Sequence, residues 1–281
     1  MTRLIEIQAR LGGMRQLLDV VGAMRSLAGM RMLEAQHTLP GIRRHAELIA
    51  DAIADTLSLV QPLEEGHRVG SARRALVICM AEHGFVGGFN ERLVEEVTRL
   101  YRSGDMLFVL GTRGSLRFFE RGFRPAWSHP MATRSRAATE SVQNLATELY
   151  RQIAAGRATR VETIYCRLLH AGAPEIHHRT ILPFDTGSMV PRRHRSAPLH
   201  NLAPALLHEK LVAEYIFALL TEAAVESIAS ENEARFVAMG SAHDNIERKL
   251  NVLRQQAREA RQSEITNEIL ELATAQTALA G

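Results

Sequence analysis

Apolar residues in the first segment, residues 1–60, fall at alternating steps of three and four. Leu4, Ile7, Leu11, Met14, Leu18 and Val21 trace a heptad seam and predict a helix with one apolar stripe. Ala28 and Ala35 extend the stripe with small side chains, which permit close approach of a second helix. Pro40-Gly41 is expected to kink or break the helix, because proline brings no backbone N–H to the ladder. Ile42, Ala46, Ile49, Ile53 and Leu57 then resume the stripe. At ~1.5 Å per residue such a segment would be roughly 85 Å long, wider than one globular core.

The other end has the same texture. From about Leu206 to Leu279 there is no proline, and glycine occurs only at Gly240. Ile246, Leu250, Leu253, Ala257 and Ala260 form a second seam, and Ile265, Ile269, Leu272 and Gln276 continue it after a one-residue slip. Its polar face is dense in Glu and Arg. Two long seams at opposite ends of one chain bury each other most economically as an antiparallel coiled coil, here residues 206–281 against residues 1–60.

Between them, residues 73–185 read as an open, mostly parallel, Rossmann-like α/β domain. Short apolar runs predict strands at Ala75 to Met80, Met106 to Leu110, Val161 to Leu169 and Ile176 to Phe184. Helices are expected from the glycine turn Gly84 to Gly88 through Leu100, over Thr112 to Arg121 and over Thr139 to Ala155, with a loop at Ser128 to Arg136. Asp185 to Pro204, rich in Pro, Arg and His, reads as a connecting loop.

Composition adds little to this and excludes more. The chain has 281 residues, 46% hydrophobic and only 5% aromatic, with a formal charge of +3. Lys210 and Lys249 are the only lysines, so the basic charge is almost all arginine. Cys79 and Cys166 sit singly in predicted strands, which fits buried thiols in a reducing compartment. Arg3, Glu6 and Arg10 within the first apolar pattern argue against a secretory signal, and no uncharged run approaches the ~20 residues a membrane span needs.

Candidate chemistry is sparse. The turn Gly84-Phe85-Val86-Gly87-Gly88-Phe89-Asn90 stands where a phosphate cradle would, but it lacks the Gly-Lys-Ser/Thr ending and the dinucleotide spacing. A tight strand–helix turn is the better reading. His177 and His178 are neighbours on a strand and would face opposite ways; His194, His200 and His208 lie in or beside the long loop without a matching ligand set. The arginine clusters Arg43-Arg44, Arg73-Arg74 and Arg192-Arg193-Arg195 lack the stacking aromatics of a nucleic-acid module. No cofactor, metal or catalytic residue is expected.

Three segments sharpen the reading. Ala23-Met24-Arg25-Ser26-Leu27-Ala28, followed by Arg31 and Ala35-Gln36, resembles the first helix of the gamma subunits of F-type ATP synthases. Gly87-Gly88-Phe89-Asn90 resembles the turn after that family's first domain strand. Ser230-Glu231-Asn232, Ala234-Arg235, Val237-Ala238-Met239, Ala242 and Asp244-Asn245 are similar to its C-terminal signature, as is Ala260-Arg261-Gln262 through Ile265-Thr266 and Glu268-Ile269 to Glu271. The resemblance implies a non-catalytic rotor shaft inside a hexamer of alpha and beta subunits. It also implies contacts with the epsilon subunit and the membrane ring of c subunits, on the cytoplasmic face of the bacterial inner membrane. It matches Arg261, Gln262, Thr266 and Met24 to positions facing the beta subunit. The lysine-rich middle of the family's first helix is replaced by Gln16-Leu17-Leu18-Asp19 with Val21-Gly22, and its Gly-rich end by Ala273-Thr274-Ala275-Gln276, which suggests a divergent branch. A free-standing coiled-coil scaffold and an α/β nucleotide-binding enzyme are the rival classes.

Overall fold

The computed structural model describes residues 2–57, 59, 73–168, 174–183 and 199–279. The chain divides into two compact units, one of residues 28–235 and one of residues 1–27 with 236–281. Helices α1 (Thr2–Thr56) and α5 (Pro204–Leu279) contribute to both.

The larger unit holds a five-stranded sheet. Its strands are β1 (Arg73–Cys79), β2 (Met106–Leu110), β3 (Trp127–His129), β4 (Ala158–Arg167) and β5 (Glu175–Leu182), in the order β3-β2-β1-β4-β5. The pairs among β1 to β4 are parallel and β5 runs antiparallel to β4. Strand alternation sorts side chains onto two faces. Ala75, Val77 and Cys79 of β1, Phe108 and Leu110 of β2, and Val161 and Tyr165 of β4 share a core with α4 (Ala138–Ala154), with Ala35, Leu39 and Ala46 of α1, and with Ala223 to Ala229 of α5. Leu76 and Ile78, Leu107 and Val109, and Ile164 and Cys166 face α2 (Phe89–Leu100) and α3 (Thr112–Glu120). Both faces are covered, which is why the strands read as near-continuous apolar runs. The two cysteines are buried on opposite faces, and burial pushes both thiols up to about 12.

Within this unit α1 and α5 run antiparallel. Arg43 pairs with Glu222, His45 with Glu214 and Thr56 with His208, so contacts descend α5 as they climb α1. Of the kink or break expected at Pro40, the break does not occur; α1 is continuous through it. Pro40 and Gln36 lie on the exposed face, so the carbonyl that loses its donor is not in the core. Ala35, Leu39, Ile42 and Ala46 are packed on the inner face, and their burial offsets the ~3 kcal/mol an interior proline costs.

The loop expected at Ser128 to Arg136 also needs correction. Trp127, Ser128 and His129 pair with Phe108, Val109 and Leu110 as a short edge strand, and Ser135–Ala137 forms one 3-10 turn. Three residues are too few to show a period of two. Of the long loop, residues 185–198 lie outside the described residues, and with them His194 and the cluster Arg192, Arg193 and Arg195; Phe184 does too.

In the smaller unit the two predicted seams pack on each other. Ile7, Leu11 and Val21 are buried with Met239, Ile246 and Leu250. Met14, Leu18, Met24, Leu253, Ala257 and Ala260 pack against them, and Leu4 is half-buried. The seam does not continue past Ala260 as expected: Ile265 is 50% exposed and Ile269 60%. Leu4 already lies at the start of α1, and antiparallel pairing leaves no described residue of that helix to cover positions beyond about 260. The side chains of Leu272 and Gln276 lie outside the described ones.

Candidate functional site

A dense network of polar bonds in the larger unit lies where α5 crosses the carboxyl ends of the parallel strands. Strand ends leave carbonyls without a ladder partner. The Ser227 hydroxyl donates to the Cys79 carbonyl at 2.8 Å, and Ser230 to that of Cys166 at 3.0 Å. Ala223, Ala224 and Ala229, all fully buried, let the helix come close enough for those short side chains to reach. One turn further on, Arg235 donates to Glu231 Oε1 at 2.6 Å and Asn232 Oδ1 at 3.1 Å. It also reaches the carbonyls of Gly84 at 3.3 Å and His83 at 3.4 Å. Glu231 accepts the Glu82 N–H at 3.4 Å on its other oxygen.

Glu82 carries the tie deeper into the sheet. Its carboxylate accepts the Thr112 N–H at 3.0 Å, the Thr112 hydroxyl at 2.8 Å and the Met131 N–H at 2.8 Å. The residue preceding α3 is Gly111, which has no side chain to cap the helix; Glu82 supplies the acceptor and places negative charge at the positive helix end. Burial pushes the Glu231 carboxyl up, against the opposing pull of the Arg235 guanidinium. Beside them, burial and then the like charge of Arg235 draw Arg31 below the ordinary arginine value.

A second network lies one to two turns back on α5. Glu222 accepts from Arg43 of α1 at 2.9 Å and from Arg179 of β5 at 2.6 Å. Glu226 pairs with Arg43 and, at 3.5 Å, with Arg167 of β4. Both long helices and the β4–β5 edge are thus joined through two buried carboxylates. Burial raises Glu226, and Arg43 opposes the rise.

The glycine turn is consumed by structure. Asn90 turns inward to accept the Ala81 N–H at 3.1 Å, and the carbonyls of His83 and Gly84 are those Arg235 holds. Phe85 takes a φ of 62°, rare for a side chain of its size, and is 68% exposed. Beside it a cavity of about 340 Å³ holds Glu91, Arg117 and Glu120, but these pair with one another, Arg117 with Glu91 at 3.2 Å and with Glu120 at 2.8 Å. His177 and His178 do face apart, one against the Tyr165 ring and the other on Glu96 at 2.9 Å. The ligand atoms of His243, Asp244 and Glu247 on α5 lie within 4.8 Å of one another, an exposed group that sequence reading passed over.

In the smaller unit Arg261, Gln262 and Thr266 are exposed on one stretch of α5, where the Thr266 hydroxyl donates to the Gln262 carbonyl at 2.9 Å. Met24 is not with them. It packs into the seam, next to Arg25, whose guanidinium sits 4.8 Å over the Phe236 ring. From Phe236, Arg261 is roughly 38 Å further along α5 at ~1.5 Å per residue.

The family described as ATP synthase matches residues 3–279 of the chain. The chain belongs to the ATP synthase gamma-chain family. It is 25% identical to the ATP synthase gamma chain of Chlorobaculum tepidum over 296 residues, covering 99% of each, and 26% identical to that of Synechococcus elongatus over 318 residues, covering 100% of each. Among solved structures, the central stalk and c-ring of the Tetrahymena thermophila mitochondrial ATP synthase shares the fold with a TM-score of 0.60 at 20% identity, over 79% of this chain and 99% of that one. The rotor of the Euglena gracilis enzyme gives 0.62 at 14% identity, over 94% and 99%. Among the described residues no helix is long and apolar enough to cross a membrane.

The polar ties that matter most were only half visible beforehand. Ser230, Glu231, Asn232 and Arg235 carry part of the family resemblance, but their partners, and the roles of Glu82, Glu222, Glu226 and Ser227, were not anticipated. The available signal was their spacing: 222, 226 and 230, and 227, 231 and 235, form two rows at steps of four along one helix.

Proposed function

We propose that this gamma chain is a non-catalytic shaft that passes rotation of a membrane ring of c subunits to a hexamer of alpha and beta subunits, with an epsilon subunit at its base. The division of labour is that residues 1–60 and 206–281 serve as the shaft and residues 73–185 as the domain through which it is turned. The observation that carries this reading is the bonding of α5 to β5, β4 and α1 through Glu222 and Glu226, and to the backbone of the turn after β1 through Glu231 and Arg235. A shaft driven from its base needs such a joint, because torque applied to the sheet must reach the helices without slippage. An asymmetric shaft then presents different faces to each catalytic site and shifts each among its states by differential contact.

Arg261, Gln262 and Thr266, exposed together on α5, are assigned to contact with the beta subunit, and Met24, packed in the seam well away from them, to a separate contact with it. The complex is assigned to the cytoplasmic face of a bacterial inner membrane. Affinity purification of the tagged chain from native membranes in mild detergent tests the assembly. Alpha and beta subunits, each in about threefold excess over the chain, are expected; the chain alone would reject the proposal in favour of a scaffold. Truncation after Ser241 tests the contact residues. It is expected to abolish coupled ATP synthesis, and unchanged coupling would remove any role for Arg261, Gln262 and Thr266.

A further inference from the structure

At the amino ends of β1 and β4, beside the turn before β2, a concavity of about 500 Å³ is lined by Arg73, Arg74, Arg102 and Arg160, with Asp105 and Glu162. It lies at the opposite end of the strands from the surface gripped by Ser227 and Ser230. The chain uses arginine almost everywhere in place of lysine, so arginine itself is no signal here. Four in one hollow, and the way they are bonded, is.

Arg74 is the scaffold. It donates to Asp105 at 2.7 Å, to Glu162 at 3.0 Å and to the Leu100 carbonyl at 2.7 Å, which commits most of its donors to the floor. Both carboxylates are thereby committed. Asp105 also accepts the Arg102 N–H at 2.8 Å, and Glu162 accepts Arg160 at 2.6 Å through the Arg160 Nε alone. Four positive charges face two negative ones, so the hollow keeps a surplus of two. The side chains that carry it, Arg73 and Arg102, are exposed and have no carboxylate partner among the described residues. Arg160, bonded to Glu162 only through Nε, lines the same hollow with its side chain 55% exposed. Planar guanidinium forks around a concave floor match tetrahedral oxyanions, each able to offer two parallel N–H donors.

We propose that this hollow binds a phosphate-bearing anion of about two negative charges, held by Arg73, Arg102 and the outer edge of Arg160, with Arg74 holding the floor in place. The phosphate can come from a free oligophosphate or from anionic lipid headgroups, and the test separates them. The full-length chain is titrated calorimetrically with inorganic pyrophosphate at low ionic strength, and in parallel floated with phosphatidylcholine vesicles with and without phosphatidylglycerol. Pyrophosphate binding identifies the free anion, and flotation only with phosphatidylglycerol identifies the lipid source. The variant R73A/R102A is expected to weaken the positive arm by about tenfold or more, since each lost charge-assisted contact is individually substantial. The control R124A/R258A removes the same charge from exposed sites elsewhere and is expected to stay within about twofold of the unmodified chain. Failure of both probes to bind, or equal binding by the two double variants, overturns the proposal.

Discussion

Replacing Arg235 by Met tests whether the α5–sheet joint is held by its buried ion pair. Arg235 and Glu231 are 6% and 5% exposed, and Met matches the arginine stem in length while removing its charge and every donor. Three losses follow from the geometry. Glu231 keeps only the weak Glu82 N–H at 3.4 Å, the Asn232 oxygen loses its donor, and the His83 and Gly84 carbonyls lose their only side-chain partner among the described residues. Breaking a buried pair by removing one member costs about 3–5 kcal/mol, because the other charge stays uncompensated. That is a large part of a typical total of ~5–15 kcal/mol. The double variant E231Q/R235M removes the orphaned charge. Its residual cost is then about 1–3 kcal/mol, from the unsatisfied carbonyls alone.

The pH dependence gives an independent check. Burial already holds the Glu231 carboxyl above its unfolded value, and losing Arg235 raises it further. A carboxyl whose folded value lies above its unfolded one contributes stability below the unfolded value, and that contribution is lost as pH rises through the folded value. The deficit of R235M is therefore smaller at pH 5 than at pH 8, whereas that of E231Q/R235M, which has no carboxyl left to titrate there, is no larger at pH 8 than at pH 5. Urea unfolding of the full chain followed by circular dichroism reads all three. A deficit for R235M below about 1 kcal/mol at pH 8, or one equal at the two pH values, would refute the assignment.

Further substitutions test other links. Gly111 has a φ of 112°, and an added Cβ would lie 2.5 Å from the Met80 carbonyl oxygen, so G111A should cost more than about 2 kcal/mol; G88A, with a negative φ and no atom within 4 Å, should stay within about 0.5 kcal/mol in the same unfolding assay. Leu250 is 1% exposed in the seam, and L250A should cost ~2–5 kcal/mol, read as lost amide protection in residues 7–21 and 239–257 by hydrogen exchange. E226A removes a carboxylate shared by Arg43 and Arg167, but both arginines are more than a third exposed and water rehydrates them; its cost should be ~1 kcal/mol, clearly below that of R235M. Equal costs for E226A and R235M would show that burial does not separate the two networks.

What was legible in the sequence was whatever burial writes as a period. The seams at Ile7, Leu11 and Val21 and at Ile246 and Leu250, and the strand runs at Leu76 to Cys79 and Leu107 to Leu110, follow directly from steps of three and four or from short apolar stretches. Errors arose where local chemistry and tertiary context disagreed. Pro40 carries a local helix-breaking signal that the packing of Leu39 and Ile42 overrides. Trp127 to His129 gains strand identity only from β2 beside it. Ile265 and Ile269 have the spacing of a seam, but a seam needs a second helix, and periodicity cannot say where that helix stops. The polar residues of α5 between 222 and 235 failed for the opposite reason. Charged positions on a helix read as its solvated face, and only the sheet and α1 on either side turn Glu226, Glu231 and Arg235 into interior groups.

That contrast bears on how a shaft carries load. Apolar contact is non-directional: shifting one stripe of leucines and alanines past another exchanges similar contacts at similar energy, so a seam resists separation better than it resists sliding. A hydrogen-bonded ion pair has no such tolerance. Moving Arg235 by one turn of α5, ~5.4 Å, would strip Glu231 and the His83 and Gly84 carbonyls together and leave a buried charge unpaired. Ser227 on the Cys79 carbonyl and Ser230 on that of Cys166 fix the same register from two neighbouring strands. Resistance to slippage between helix and sheet therefore resides in a few polar side chains rather than in the far larger apolar area around them. In E231Q/R235M that resistance is expected to fail before stability does: most of the lost stability returns once the orphaned charge is gone, but the directional contacts do not. Coupled ATP synthesis assayed beside unfolding separates the two, and full coupling in E231Q/R235M would place the load on the apolar core instead.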